Sequence, residues 1–403
     1  MQILWGLVGI AVLMAIAYVC SNNKRRIRWR AVLLSLGFEI LFAVLVWLWT
    51  PGRAALNWVT SGVERIMAYA NQGIGFLFGP LVKLQGSIFA LQVLPVIIFL
   101  GALIGILYYL RVIQWVIQIV GGAVQWLLGT SRLESLSAIS TVFLGQSEAP
   151  LLIRPYIDRL TEAELFQVMT CGFTSVAGST LVGYALLGIP LPYLLTACIM
   201  TAPAALCIGK IMFPETGEPL TGESVRMESD KESANIIDAA ASGTLSGLKL
   251  AVNVGALLLA FISLIALING ILGGLGGLFG FPHLTLQRIL GYIFSPIAFI
   301  IGVPWHEAVT AGGFIGEKLA VNEFVAYSDL GPKLHHLSTK TAAIVTFALC
   351  GFANFSSVAI QIGTFGGLAP DRRRDVARLS MRALLGGTLA NLMNAAIAGM
   401  LIR

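Results

Sequence analysis

The chain has 403 residues, of which 26 are Lys or Arg and 20 are Asp or Glu, for a net charge of +6. Charged residues make up 11% of it, against about 25% in soluble domains. The hydrophobic class with glycine reaches roughly 68%, against about 45–50%, so a soluble globular protein and a disordered chain are both excluded. The positive charges sit in short clusters between long uncharged stretches, the pattern of membrane topology signals and not of a basic face for nucleic acid.

Residues 1–23, 84–110, 112–131, 165–209, 250–287, 341–370 and 383–402 carry no charge, and 31–52 carries only Glu39. Since a membrane helix needs about 20 apolar residues, these runs predict about eight crossings, the inner six near 31–50, 87–110, 165–188, 192–212, 247–272 and 340–365. In the first segment Lys24-Arg25-Arg26 follows the apolar run instead of preceding it, so it reads as a retained helix and not a signal peptide. The positive-inside rule places Lys24–Arg30 and Arg372-Arg373-Arg374 in the cytoplasm, with both termini outside. Residues 53–78, where Arg53, Glu64 and Arg65 are spaced among apolar positions, read as an interfacial amphipathic helix. The run 112–131 is expected not to cross completely. The polar stretch 214–234, with Glu215, Glu218, Glu223, Glu228, Asp230 and Lys231, reads as a cytoplasmic loop.

Two segments do not behave as spans. In 135–157 the apolar parts Ser135–Leu144 and Ala149–Ile157 are each half the crossing length and flank Gly145-Gln146-Ser147-Glu148. In 289–330 a similar pattern carries Glu307, Glu317, Lys318 and Glu323, with Pro304, Gly312, Gly313 and Gly316 as expected breakers. Both read as re-entrant hairpins, because irregular polar backbone at membrane depth survives only inside protein or along a cavity. Each is followed by a related string: Cys171-Gly172-Phe173-Thr174-Ser175 after the first and Cys350-Gly351-Phe352-Ala353-Asn354 after the second. Two related halves with interrupted helices point to a transporter site near the bilayer midplane.

Glu148 and Glu323 need a partner, a proton or a role at that depth. Gln146, Ser147 and Glu148 offer donors and acceptors that suit the polar edge of a heterocycle. Glu323 is expected to face Asn354 and Ser357, which share a helix face, and this set suits a polyhydroxylated group such as a sugar. Phe352 can pack in a core or stack on a base. Other motifs fail. His306-Glu307-Ala308-Val309-Thr310 lacks the second histidine of a zincin helix. His335-His336 reads as a hydrated pair, Gly273–Gly280 as a turn or packing face, and the five cysteines as free packing residues. The aspartates form no cluster for a metal-dependent membrane enzyme, and no His or Asp accompanies Ser147 or Glu148 for nucleophilic catalysis.

Gly145-Gln146-Ser147-Glu148 and Gly316-Glu317-Lys318-Leu319-Ala320-Val321-Asn322-Glu323-Phe324-Val325-Ala326-Tyr327 resemble the two signatures of the concentrative nucleoside transporters, and 351–357 resembles that family's broken seventh helix. The resemblance implies an all-α polytopic fold of about eight transmembrane helices with two re-entrant hairpins in an inverted repeat, working as an elevator and assembled as a homotrimer in the bacterial inner membrane. On that scheme 1–130 supplies scaffold helices and the interfacial helix, 131–212 the first repeat, 213–272 a loop and scaffold helix, and 273–403 the second repeat. It also implies that Gln146, Ser147, Glu148 and Thr180 contact the nucleobase with Phe352 beside it, and that Glu323, Asn354 and Ser357 bind the ribose. No cofactor beyond a coupling ion and no nucleic-acid partner are expected. Sodium-driven relatives resemble one another in an Asn four places before the hairpin glycine. Here it is Thr141, which leaves a sodium site of Thr141 with the carbonyls of Leu144, Ser175 and Val176 short of an amide oxygen, and the resemblance then points to protons. The same architecture carrying a free nucleobase or another polar solute is the competing reading, and a polytopic membrane enzyme a further one.

Overall fold

A computed structural model describes residues 2–83, 88–219, 233–281 and 283–402. Part of the expected cytoplasmic loop, including Glu223, Glu228, Asp230 and Lys231, lies outside the described residues. The described chain is helical: α1 (Gln2–Val19), α2 (Trp29–Trp47), α3 (Thr50–Phe78), α4 (Phe89–Gln92), α5 (Leu94–Tyr109), α6 (Val112–Leu128), α7 (Arg132–Phe143), α8 (Ala149–Leu152), α9 (Glu162–Thr174), α10 (Gly178–Leu186), α11 (Leu191–Met212), α12 (Ile236–Leu278), α13 (Leu286–Ile300), α14 (Trp305–Ala320), α15 (Glu323–Lys333), α16 (Thr339–Leu349), α17 (Phe355–Leu368) and α18 (Arg373–Leu401). Seven segments among these residues are long and apolar enough to cross a membrane: α1, α2, α4 with α5, α9 with α10, α11, α12, and α18 with the turn before it. The pair α13 and α14, bent by 115°, is apolar enough to count as a broken span or a re-entrant segment, and α16 and α17 are shorter apolar helices.

Contacts between helix ends define two rims. At one, Arg382 on α18 donates to Cys20 O after α1 at 2.7 Å, and Asn22 N donates to Met212 O at the end of α11 at 2.8 Å. Lys210 on α11 pairs with Glu134 in the first turn of α7 at 2.5 Å, and Arg372 donates to Leu160 O at 2.8 Å. Both feet of the first hairpin, α7 and the 3-10 turn Arg154–Arg159 after α8, therefore stand on this rim beside both basic clusters. At the other rim, Trp5 near the start of α1 donates to Phe299 O at 2.8 Å, and Glu307 in the first turn of α14 accepts from Ser338 N at 2.8 Å and from the Thr341 hydroxyl. The feet of the second hairpin stand there. Two hairpins entering from opposite rims are what an inverted repeat requires.

The entries of the first hairpin and of the helix after it are fixed locally. Ser131 accepts from Glu134 N while Glu134 accepts from Ser131 N, and Thr161 and Glu164 repeat the device at α9.

Two expectations are corrected. The segment near 247–272 is the middle of a 43-residue helix, α12, started by Asn235, whose side chain caps Ile237 N and Asp238 N. At 1.5 Å per residue it is roughly 65 Å long, about twice the hydrocarbon thickness, and it passes through the boundary drawn at residue 272. Gly312, Gly313 and Gly316 do not break a helix either; they lie inside α14 and let it approach α13, since a Cβ at Gly312 would stand 2.7 Å from Gly291 O. Glycines in membrane helices serve close backbone approach as readily as kinks. The same device joins α5 and α12: a Cβ at Gly101 would meet Gly243 O at 2.5 Å, and one at Gly105 would meet Ala239 O at 2.6 Å. Residues 53–78 do form one helix, and all five cysteines are free.

Candidate functional site

The two hairpin tips and the two interrupted helices converge. Helix α9 ends at Thr174 and α10 resumes at Gly178; α16 ends at Leu349 and α17 resumes at Phe355. The breaks cross and bond to each other, Phe352 N donating to Ser175 O at 3.1 Å. The approach requires glycine at 351, where a Cβ would stand 2.4 Å from Thr174 O.

The second tip is Val321-Asn322, between α14 and α15. Asn322 caps α15 through Val325 N at 2.9 Å, which sets Glu323 at the helix start. The Glu323 carboxylate is buried and accepts from Asn354 Nδ2 at 2.7 Å and from the Tyr184 hydroxyl at 3.0 Å. Asn354 in turn caps α17, its Oδ1 accepting from Ser357 N at 2.8 Å. The expected trio of Glu323, Asn354 and Ser357 is therefore assembled, with Tyr184 as a fourth member.

The first tip reaches the same place. Gln146 lies against one face of α17, donating to Ser357 Oγ at 2.8 Å and accepting from Gln361 Nε2 at 3.5 Å. Gln361 sits one turn beyond Ser357 and also donates to Met169 O at 3.0 Å. A chain of bonds thus runs from Gln146 through Ser357 and Asn354 to Glu323 and Tyr184, joining both tips to both broken helices.

Ser147 and Glu148 point elsewhere. They are exposed, and Glu148 lines a cavity of about 350 Å³ with Leu144, Leu151 and Ser179; the opposite wall is the glycine seam of α5 and α12. That volume is within the range of small-molecule sites, about 300–1,000 Å³. Glu323 is buried and does not line this cavity. Thr180 is buried one turn before Tyr184 on α10, and Phe352 is half-buried at the break.

Three of the four candidate sodium ligands have hydrogen-bond partners within the protein. The Thr141 hydroxyl donates to Ala138 O at 3.0 Å, Ser175 O accepts from Phe352 N, and Val176 O lies 3.6 Å from the Cys198 thiol. Leu144 is buried at the end of α7 and lines the cavity. Among the described residues no group of three or more His, Cys, Asp or Glu could hold a metal.

Sequence reasoning passed over Tyr184, Gln361 and Asn391. Asn391 on α18 donates to Thr174 O at 2.7 Å and to Cys350 O at 3.0 Å, bridging the two breaks. Asn391 and Asn394 in the uncharged, mostly apolar run 383–402 were the available signal.

Three family models match consecutive parts of the chain: the N-terminus of a Na+ dependent nucleoside transporter at residues 8–81, a nucleoside recognition gate at 90–191, and the Na+ dependent nucleoside transporter C-terminus at 193–399. The nucleoside permease NupC of Helicobacter pylori is 45% identical, with 99% of this chain and 98% of that one covered. The putative nucleoside permease NupX of Escherichia coli is 44% identical over 100% and 99%. The uncharacterized transporter YutK of Bacillus subtilis is 56% identical over the full length of both. Among solved structures, CNTnw in an inward-facing substrate-bound state is 47% identical and superposes with a TM-score of 0.94 over 100% of this chain and 98% of that one. With the hairpins, the crossed breaks and these likenesses together, the chain belongs to the concentrative nucleoside transporter family.

Proposed function

We propose that the protein imports nucleosides across the bacterial inner membrane in symport with protons, by an elevator movement of the body that carries both hairpins. The observation that carries this reading is the bonded series Gln146, Ser357, Asn354, Glu323 and Tyr184, which concentrates a carboxylate, two amides and two hydroxyls where the halves meet. In it Glu323, Asn354 and Ser357 take the ribose hydroxyls. Ser147, Glu148 and Thr180, with Gln146 released from Ser357, take the base, and Phe352 stacks beside it. The scaffold is α1, α2, α5 and α12, whose glycine seam faces Glu148 across the cavity.

Protons are preferred to sodium because Thr141 stands where the sodium-driven pattern has Asn, which leaves that site short of an amide oxygen, and because membrane carboxylates such as Glu148 and Glu323 can carry a proton. Both basic clusters lie on one rim, which the positive-inside rule makes cytoplasmic, leaving the termini outside. A homotrimer completes the reading. Uptake of radiolabelled uridine and adenosine into proteoliposomes, with sodium and pH gradients varied independently, tests it. Accumulation driven by an inward proton gradient alone is the expected result, and no accumulation under either gradient would refute nucleoside import. A free base competing as well as its nucleoside would move the reading to nucleobases.

A further inference from the structure

Glu39 lies halfway along α2 and is 0% exposed, and neither oxygen of its carboxyl has a hydrogen-bond partner among the described residues. Ser35, one turn before it, is equally buried, and its hydroxyl is equally without a partner. The buried positions Val32, Ser35, Glu39, Ala43 and Val46 recur every three or four residues, so they form one face of the helix. Helix α2 packs foremost on α11, and its Trp47 meets Tyr193 of α11 with ring centroids 5.2 Å apart. Since α11 is tied to the foot of the first hairpin by Lys210 and Glu134, this face lies in the contact between the scaffold and the body.

The carboxyl meets no cation there. Of the other helices packed on α2, α6 has no ionisable side chain and those of α3 are exposed. The ionisable side chains of α18 end at Arg382, which is held by Cys20 O at the rim. Helix α11 offers Tyr193, the thiols of Cys198 and Cys207, and Lys210, which is already paired with Glu134. Glu148 opens on the cavity and Glu323 has two donors, whereas Glu39 has neither water nor donor. A carboxyl in such a place is far cheaper to bury neutral than ionised, and intramembrane carboxyls mark proton paths in transporters.

We propose that Glu39 is the binding site of the coupling proton: it holds the proton while α11 covers it, as in this structure, and releases it to water once the body has slid along α2. The Ser35 hydroxyl stands a turn away to bond the water that receives it. This rests on the reading of the protein as a proton-driven elevator. A proton held more tightly in one position of the body than in another drives the body between them by that difference in affinity.

Glu39→Gln, which keeps the shape and is always neutral, tests the assignment in two ways. In proteoliposomes it is expected to exchange radiolabelled uridine or adenosine across the membrane as wild type does. Its accumulation under an inward proton gradient is expected to fall about 5- to 150-fold. In detergent its thermal midpoint is expected to gain on wild type as pH rises from mildly acidic to mildly alkaline, since folded wild type must keep a proton that the unfolded chain gives up. A difference in midpoint that does not change with pH would overturn the proton on Glu39 whatever the transport assays show. Accumulation equal to wild type, or loss of exchange together with accumulation, would overturn its part in coupling. Wild-type accumulation driven by sodium alone would overturn the proton-symport reading and this assignment with it. No nucleoside uptake by wild type would overturn nucleoside import, and the melts alone would then decide whether Glu39 holds a proton. If Glu39→Gln does not yield folded protein, Glu39→Met takes its place, and failure of both refutes the proposal, because a neutral side chain is all that the buried position requires.

Discussion

Gln146 and Ser357 are 211 positions apart and share a 2.8 Å hydrogen bond, which ties the tip of the first hairpin to the resumed half of the second broken helix. On the proposed reading Gln146 leaves Ser357 when nucleoside binds and Ser357 takes a ribose hydroxyl, so Ser357→Ala removes a sugar contact worth about 0.5–1.5 kcal/mol. Nucleoside affinity is expected to fall about 2- to 12-fold, read by calorimetry in detergent. Unchanged affinity would show that Ser357 does not hold the sugar.

Glu323 accepts from two donors, and a charge-assisted bond is worth about 1.5–3 kcal/mol. Glu323→Gln is therefore expected to weaken ribonucleoside binding roughly 10- to 150-fold. Analogues lacking the ribose hydroxyls should bind wild type poorly and lose little further in the variant. Equal losses for both ligands would place the sugar elsewhere.

The site's main outline could be read from the chain because polar residues at membrane depth are few and each demands an explanation. Gln146, Glu148, Glu323 and Asn354 stood out against apolar surroundings, and the repeated Cys-Gly-Phe marked both breaks. Tyr184 and Gln361 did not stand out, since an amphipathic side chain inside a helix looks like packing until its partner is known, and Tyr184 finds Glu323 139 residues away. Gly312, Gly313 and Gly316 misled for a different reason: a helix that kinks and one that packs backbone to backbone use the same residue. The extent of α12 was hidden because its N-terminal third, 236–249, is too polar for a hydropathy reading to include.

The proposed proton coupling turns on Thr141. Restoring an amide by Thr141→Asn is expected to make uptake respond to an inward sodium gradient, whereas wild-type uptake should respond to protons and ignore sodium. Proteoliposome flux under each gradient separately reads both. Sodium-driven uptake by the wild type would refute the proton assignment.

The α5–α12 seam has no room for a side chain. Gly243→Leu puts a Cβ 2.4 Å from Gly101 O and is expected to lower the thermal midpoint in detergent, with overpacking worth about 1–3 kcal/mol or more. Gly37→Ala on α2, where nothing lies within 4 Å, should leave the midpoint unchanged or raise it. Equal behaviour of the two variants would mean that the seam does not support the scaffold.

The buried pair Lys210–Glu134 joins α11 to the foot of the first hairpin at 2.5 Å. Lys210→Met strands a carboxylate that is 1% exposed, and a loss of about 3–5 kcal/mol is expected. Lys210→Met with Glu134→Gln, whose amide oxygen can still accept from Ser131 N, should recover most of the thermal midpoint in a fluorescence-based melt. No recovery would assign the loss to packing of the lysine stem.

The hairpins hang from opposite edges of the body, and their tips are linked halfway through Ser357 and Asn354 of the broken helix between them. Neither is long enough to open a passage by itself, so cargo gripped at their meeting point has no door of its own. On the elevator movement proposed above, which compartment it faces is decided by where the whole body stands against the α5–α12 wall, and a grip made once serves for both loading and release.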